Sequence, residues 1–253
     1  MIMRVWDIHP GYLSGQSLLG EHSEIHALYS IITEHKRGYS SHPETKRWND
    51  HLNLLVLRHN LLVREMTIRD FKHLSPLGFA EYIDKEEQCN PVSYIDLPSA
   101  QFEILHQKYQ AKGQRGRIPL PLYGTEFWAQ HKYSVMSRGY QYYKEMQSFM
   151  NNRPNLPIIQ DNNLIVKIQN FMKIPVSEKA LGNVILHLWG YFKNEASPEE
   201  KRHLFDLNNF SEKMKLLYDM SIKYQKNYLL HSTIFADIFI MVKRERRKGI
   251  CSH

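Results

Sequence analysis

The chain has 253 residues, 42% hydrophobic and 23% charged, the make-up of a soluble globular protein able to build one large core or two small ones. Two cysteines, Cys89 and Cys251, argue against a disulfide framework or an all-cysteine zinc site and fit a reducing compartment. The net charge of +7 lies wholly in the second half: residues 1–124 hold 14 Lys/Arg against 14 Asp/Glu, whereas residues 125–253 hold 19 against 12. That half suits a polyanionic partner, although a solubilising tail would carry the same charge. The opening MIMRVWDIHPGY has no apolar core of signal-peptide length. The apolar stretch at 228–242 is broken by His231 and Asp237 and is too short and polar for a bilayer. A cytoplasmic protein with no membrane contact is expected.

The pattern is helical nearly throughout, so the expected fold class is all-α. In residues 17–36, Leu18, Ile25, Leu28, Tyr29 and Ile32 recur at spacings of three and four and mark one buried face; Glu21 and Glu24 fall mostly off it. A second helix opens at Pro43-Glu44, with proline in the first turn and an acid at the positive end of the dipole. Trp48, Leu52, Leu55, His59 and Leu62 continue its stripe. Residues 86–124 are rich in proline and glycine and read as a linker with one short helix near 100–109. A long helix follows from Thr125 to about Met150, then one capped by Asp161 and one over 178–193. Ser197-Pro198-Glu199-Glu200 reads as a capping box. Further helices are predicted over 211–230 and 232–243, and no segment alternates as a strand would. The expected organisation is two helical domains, 1–85 and 125–253, joined by the linker 86–124.

Eight of the 14 histidines lie within residues 1–75. His22 and His26, four apart on the first helix, could share a metal, but their order is not that of the HExxH proteases and no third ligand is evident. Surface or helix-packing roles account for them better than a metal does, so neither metal nor organic cofactor is expected.

The stretch MRVWDIHPGYLSGQSLLGEHSEIHALYSII from Met3, HPETKRW at 42–48 and RHNLLVREMTIRDF at 58–71 resemble the pyrimidine-dimer DNA glycosylase family typified by phage endonuclease V, over about residues 3–85. Family-like positions include Arg58, Leu62, Glu65, Arg69 and Phe71, and a Glu-x-x-Glu step appears as Glu21 to Glu24. The resemblance implies a glycosylase/AP lyase whose nucleophile is the backbone α-amine. Such an amine, with a pKa of about 7.7–8.0 against about 10.4 for lysine, is partly unprotonated at neutral pH. It attacks the sugar C1′, a Schiff base forms, and β-elimination cuts the strand. Glu24 takes the family's carboxylate position, to stabilise the cationic sugar and move protons. The amine aligns with Met3, and is that of Met1 if the chain keeps its first two residues. Arg4 and Gln16 match positions that contact DNA phosphates or the lesion strand; Glu21, in a supporting role, and His22, which replaces an aromatic position, are also expected on the DNA-binding side. Ser17, Ser23 and Ala27 stand where the family carries basic or histidine residues, which implies a weaker grip in this domain.

The segments WAQHKYSVMSRGYQYYK at 128–144 and HLWGYFKNEASPEEK at 187–201 resemble a second, uncharacterised helical family, also found fused to thiouracil-desulfurase-like domains; its contexts imply damaged or modified nucleic acid. Trp189 and Phe192 read as helix core, while Lys132 and Lys193 suit phosphates, as do Arg115 and Arg117 in the linker and Lys243, Arg244, Arg246 and Arg247 in the tail. The expected partner is double-stranded DNA, with structured RNA as the other candidate and no obligate protein partner. The rival reading is a non-catalytic DNA- or tRNA-binding protein built on a decayed glycosylase fold.

Overall fold

The computed structural model describes residues 3–77 and 92–237. Cys89, Cys251, Met1 and the tail cations Lys243, Arg244, Arg246 and Arg247 lie outside the described residues. The chain is all-α: among the described residues the only β pairing is an isolated antiparallel bridge between Tyr123 and Pro157. None of these helices is long and apolar enough to cross a membrane. The helices fall into two compact units, Met1–Leu120 with Ile159–Ile165, and Pro121–Ile158 with Val166–His253.

In the first unit a 3-10 turn, Pro10–Tyr12, leads into α1, Gly15–Thr33. Ser14 caps α1 by accepting from the Ser17 N–H at 3.2 Å. Its stripe Leu18, Ile25 and Leu28 is fully buried, and Glu21 is buried with it. The helix predicted from Pro43 is two helices, α2 (Pro43–Trp48) and α3 (Leu52–Ile68), because His51 leaves the helical region at φ −132°, ψ 38°. Both α2 and α3 pack on α1.

The stretch read as a linker carries a 15-residue helix, α4 (Pro98–Lys112), longer than the one expected. It docks on the start of the chain. Phe102 meets Tyr12 edge-on at 5.0 Å, and the Tyr109 hydroxyl accepts from the Ser14 N–H (2.5 Å) and donates to the Tyr12 carbonyl (3.0 Å). Phe102 and Leu105 are wholly buried. Gly113 ends α4 at φ 59°, the left-handed conformation that glycine adopts without penalty. Gly116 then lies so close to the turn at residues 11–12 that a Cβ there would meet the Tyr12 carbonyl oxygen at 2.5 Å. The Ile118 N–H donates to the Gly11 carbonyl at 2.9 Å. The glycines of this stretch therefore serve close packing, not a free linker.

The second unit holds α5 (Gly124–Met136), α6 (Tyr140–Asn151), most of α7 (Asn162–Met172), α8 (Glu178–Trp189), α9 (Pro198–Asp206), α10 (Phe210–Lys223) and the short α11 (Asn227–Leu230) and α12 (Ile234–Asp237). One helix was expected over 125–150. The break after Met136 is fixed by buried Arg138, which donates to the Ser134 carbonyl at 2.7 Å and the Met172 carbonyl at 3.3 Å. Asp161 accepts from the Leu164 N–H at 3.2 Å, as an N-cap does. The capping box forms as read: Ser197 Oγ accepts from the Glu200 N–H and the Glu200 carboxylate from the Ser197 N–H. Its core comprises Val135, Met146, Val184, Leu188, Phe192, Met214, Leu217 and Phe235.

Candidate functional site

Four consecutive backbone N–H groups near the start of the chain are each taken by a different side chain. Arg4 donates to Glu24 Oε2 (2.8 Å), Val5 to Glu44 Oε1 (3.0 Å), Trp6 to Glu21 Oε1 (3.0 Å) and Asp7 to Gln101 Oε1 (2.8 Å). Successive amides of an extended chain point to opposite sides, so residues 4 and 6 face α1 while 5 and 7 face α2 and α4. Three residues of helix rise about 4.5 Å and two extended residues span about 6.6 Å, a difference within the reach of glutamate side chains. Carboxylates three apart on α1 thus suit alternate amides of a segment running antiparallel to it. This is a physical reason for the Glu-x-x-Glu spacing. Burying these donors without acceptors would be costly, so the acids fix the segment in place.

The two α1 acids differ in environment. Glu21 is fully enclosed, held by Arg58 through Nε (2.7 Å) and Nη2 (2.9 Å). Burial pushes its carboxyl above the ordinary range, and the Arg58 guanidinium opposes that. Glu21 therefore presents no face to DNA. Glu24 is half-buried; burial raises its carboxyl, and the Arg4 N–H pulls it back. Arg4 pairs with Asp96 at 2.8 Å and lies over the Trp6 ring at 5.0 Å. Met3, Arg4, Glu44, Arg47 and Asp96 line one small pocket. The structure thus ties Glu24 to the backbone of Arg4, the residue after Met3, while the pocket that Met3 and Arg4 line does not include Glu24.

Lys108 joins this group from α4, and nothing in the sequence singled it out as a reacting group. Its Nζ donates to Ser17 Oγ at 2.8 Å. Partial burial lowers its ammonium pKa, helped by Lys112 and opposed by Glu24. Glu44 and Gln101 were missed as well, Glu44 because its place in the first turn of α2 already explained it.

The remaining residues scatter. Gln16 is exposed and accepts from Gln114 at 2.7 Å. Arg115 and Lys193 are exposed. Arg117 is turned inward, gripping buried Glu65 through Nε and Nη2, both at 2.8 Å, so its guanidinium is directed away from any phosphate. Arg69 meets the same carboxylate at 2.8 Å and donates to the Leu13 carbonyl at 2.7 Å. Arg58, Glu65 and Arg69 of the 58–71 motif are therefore parts of buried ion pairs that hold the turn before α1. Lys132 in the second unit lies over the rings of Tyr133 (4.8 Å) and Tyr228 (5.2 Å). His22, on another face of α1 from Glu24, packs with His26, His59 and His73, and burial pushes the His22 and His59 rings down to about 4.

Residues 3–77 match the family model of the pyrimidine dimer DNA glycosylases. Residues 132–237 match a separate family described as a protein of unknown function (DUF1722). No curated protein and no solved structure matches the chain. The first match likens residues 3–77, less than a third of the chain, to a DNA-repair glycosylase family.

Proposed function

We propose that the first unit is a DNA glycosylase/AP lyase acting on pyrimidine-dimer or abasic DNA through an imine, with Glu24 as its catalytic carboxylate and the α-amine of Met3 as nucleophile when the mature chain starts there. The hydrogen bond from the Arg4 N–H to Glu24 Oε2 carries this reading, because it ties the backbone next to Met3 to the carboxylate at 2.8 Å. The amine nitrogen bonds to C1′, the glycosidic bond breaks, and the base leaves with the electron pair. Opening of the C1′–O4′ bond gives the imine; loss of a C2′ proton then expels the 3′ phosphate. Glu24 stabilises positive charge on the sugar and moves these protons. No cofactor is needed for these steps. In this proposal residues 1–85 supply the lyase centre, 86–124 brace it and meet DNA through Arg115, and 125–253 anchor the polyanion through Lys132, Lys193 and the tail.

A second amine competes for the same role. Lys108 is half-buried beside Glu24, with its charged form disfavoured, and a side-chain amine would serve whatever residue begins the chain. Incubation with an abasic duplex and borohydride, followed by peptide mapping of the adduct and mass analysis of the native N-terminus, separates the two. An adduct on the N-terminal peptide supports the α-amine, and one on Lys108 supports the side chain. Absence of any adduct with chains starting at Met1 and at Met3 overturns the lyase, leaving the non-catalytic nucleic-acid-binding protein.

A further inference from the structure

The sequence singles out two metal-type ligands four residues apart and identifies no third among its many histidines; the fold supplies two more. His22 and His26 stand one turn apart on α1, His59 lies within α3, and His73 follows α3 in the segment 71–77. One ring nitrogen from each falls in a set whose members all lie within 4.8 Å of one another. Ring centroids are 4.6 Å apart for His22 and His26, 5.0 Å for His59 with either of these, and 5.1–5.2 Å for His73 with His22 and His59.

We infer that His22, His26, His59 and His73 form a binding site for a divalent first-row transition-metal ion, Zn2+ in the first instance, that staples α1 to α3 and to the segment 71–77. Three observations carry the assignment. First, the His22 and His26 Nε2 atoms are 3.3 Å apart. A tetrahedral zinc ion with Zn–N bonds of about 2.0–2.1 Å needs its ligand nitrogens about 3.3–3.4 Å apart, so this edge already has the right length. Second, Nε2 of His59 and Nε2 of His73 are buried and have no hydrogen-bond partner among the described residues. Buried imidazole nitrogens are normally satisfied, and two orphans in one cluster point to a ligand that accepts both lone pairs. Third, His59 Nδ1 faces Asn60 Oδ1 at 3.4 Å. A proton held there leaves Nε2 as the bare donor, the second-shell arrangement usual for a metal-bound histidine.

The donor set selects among ions. Four imidazoles with no carboxylate suit zinc, copper, nickel or iron and disfavour calcium and magnesium. The site is separate from the proposed lyase chemistry. At about 100° per residue, Glu24 lies on the face of α1 opposite the midpoint of His22 and His26. The ion therefore holds helices together and does not touch the substrate. It also departs from the sequence expectation of no metal, which rested on the lack of a third ligand.

The test uses the full chain without a polyhistidine tag. Elemental analysis after Zn2+ loading and dialysis should find about one ion per chain, and Co2+ loading should give the intense visible bands of a tetrahedral nitrogen site. Zn2+ should raise the melting temperature of chelator-stripped protein. His59→Asn and His73→Asn should each weaken Zn2+ binding by more than about 100-fold, since even second-shell changes cost about 10–100-fold. His203→Asn, in exposed α9, should leave binding unchanged. A folded wild-type chain that holds no stoichiometric Zn2+ and gives no tetrahedral Co2+ spectrum overturns the site, as does one-to-one binding that survives both substitutions. Should the variants fail to fold, the wild-type stoichiometry and spectrum alone decide. Borohydride trapping plays no part, so this site and the lyase reading stand or fall separately.

Discussion

Two glutamates one turn apart on α1 have the same partner type, a backbone N–H, yet different surroundings. Glu21 is enclosed with Arg58, and Glu24 is half-open beside Arg4 and Lys108. Glutamine at position 24 retains an acceptor for the Arg4 N–H and loses only the charge. Glu24→Gln should lower cleavage of abasic duplex by roughly 10²-fold or more, within the usual range for acid–base groups, with little change in the melting curve. Glu21→Gln should instead destabilise the fold by about 3–5 kcal/mol, because Arg58 is left buried and unpaired. Steady-state cleavage and urea unfolding of both variants check this, and normal cleavage by Glu24→Gln removes Glu24 from the mechanism. Glu65→Gln should be at least as damaging as Glu21→Gln by the same urea measurement, since both Arg69 and Arg117 depend on that carboxylate. The motif pointed to these acids, but not to which is buried. Helical periodicity locates a face by its apolar residues, and Glu21 joins that face only because an arginine 37 positions away neutralises it. His59 illustrates the same limit: its burial was legible in the stripe of α3, its neighbours His22, His26 and His73 were not.

Elements were legible where their signals are local and were lost where partners are distant. The capping box at Ser197 uses four consecutive residues, so reading it needed no tertiary knowledge. Glu200 also meets Lys223 Nζ at 2.8 Å and the Tyr224 hydroxyl at 2.6 Å, and these bonds, with the Ser197 N–H, hold its carboxyl down at about 2. A carboxyl depressed on folding contributes stability above its ordinary value of 4.5 and loses it as the pH falls toward about 2. Glu200→Gln should therefore melt below wild type at pH 7, by less than about 1 kcal/mol for so exposed a group. The difference should shrink between pH 4.5 and 2; a gap that is constant with pH would mean that charge has no part in the cap. The opposite case is residues 113–118. Their glycines predict a linker, because composition does not reveal that Gly116 meets the backbone of Tyr12. Gly116→Ala should cost about 1–3 kcal/mol, the range for forced overpacking, measurable by urea unfolding, whereas a true linker glycine would tolerate it.

At the scale of the whole chain, charge and aromatic placement bear on the proposed hold on nucleic acid. The first 124 residues are neutral by count, and several of their arginines, including Arg47, Arg58, Arg69 and Arg117, are engaged with acids inside the first unit. The second half carries the excess. Within it Lys132 lies over Tyr133 and Tyr228, Tyr191 stacks on Tyr228 with ring centroids 6.0 Å apart, and the Tyr133 hydroxyl donates to that of Tyr191 at 3.1 Å. Tyr191 and Tyr228 are partly exposed, so a cation and aromatic rings share one surface, a combination that suits stacking of single-stranded bases. A protein that neutralises phosphates releases counterions, and each lost contact flattens the slope of log K against log salt by about 0.9 on duplex DNA or about 0.7 on a single strand. Deleting residues 243–253 from the full chain should weaken binding to duplexes of any sequence and flatten that slope, without changing which lesion is cut. Tyr191→Ala should act otherwise: it should weaken binding to single-stranded or unstacked nucleic acid by about 1–3 kcal/mol with the salt slope unchanged, because it removes a stacking face and no charge. Fluorescence anisotropy over a salt series on duplex and single-stranded oligonucleotides reads both effects. If neither change alters affinity at low salt, the basic half is not the anchor, and the grip on DNA must come from the exposed cations of the first unit, such as Arg115.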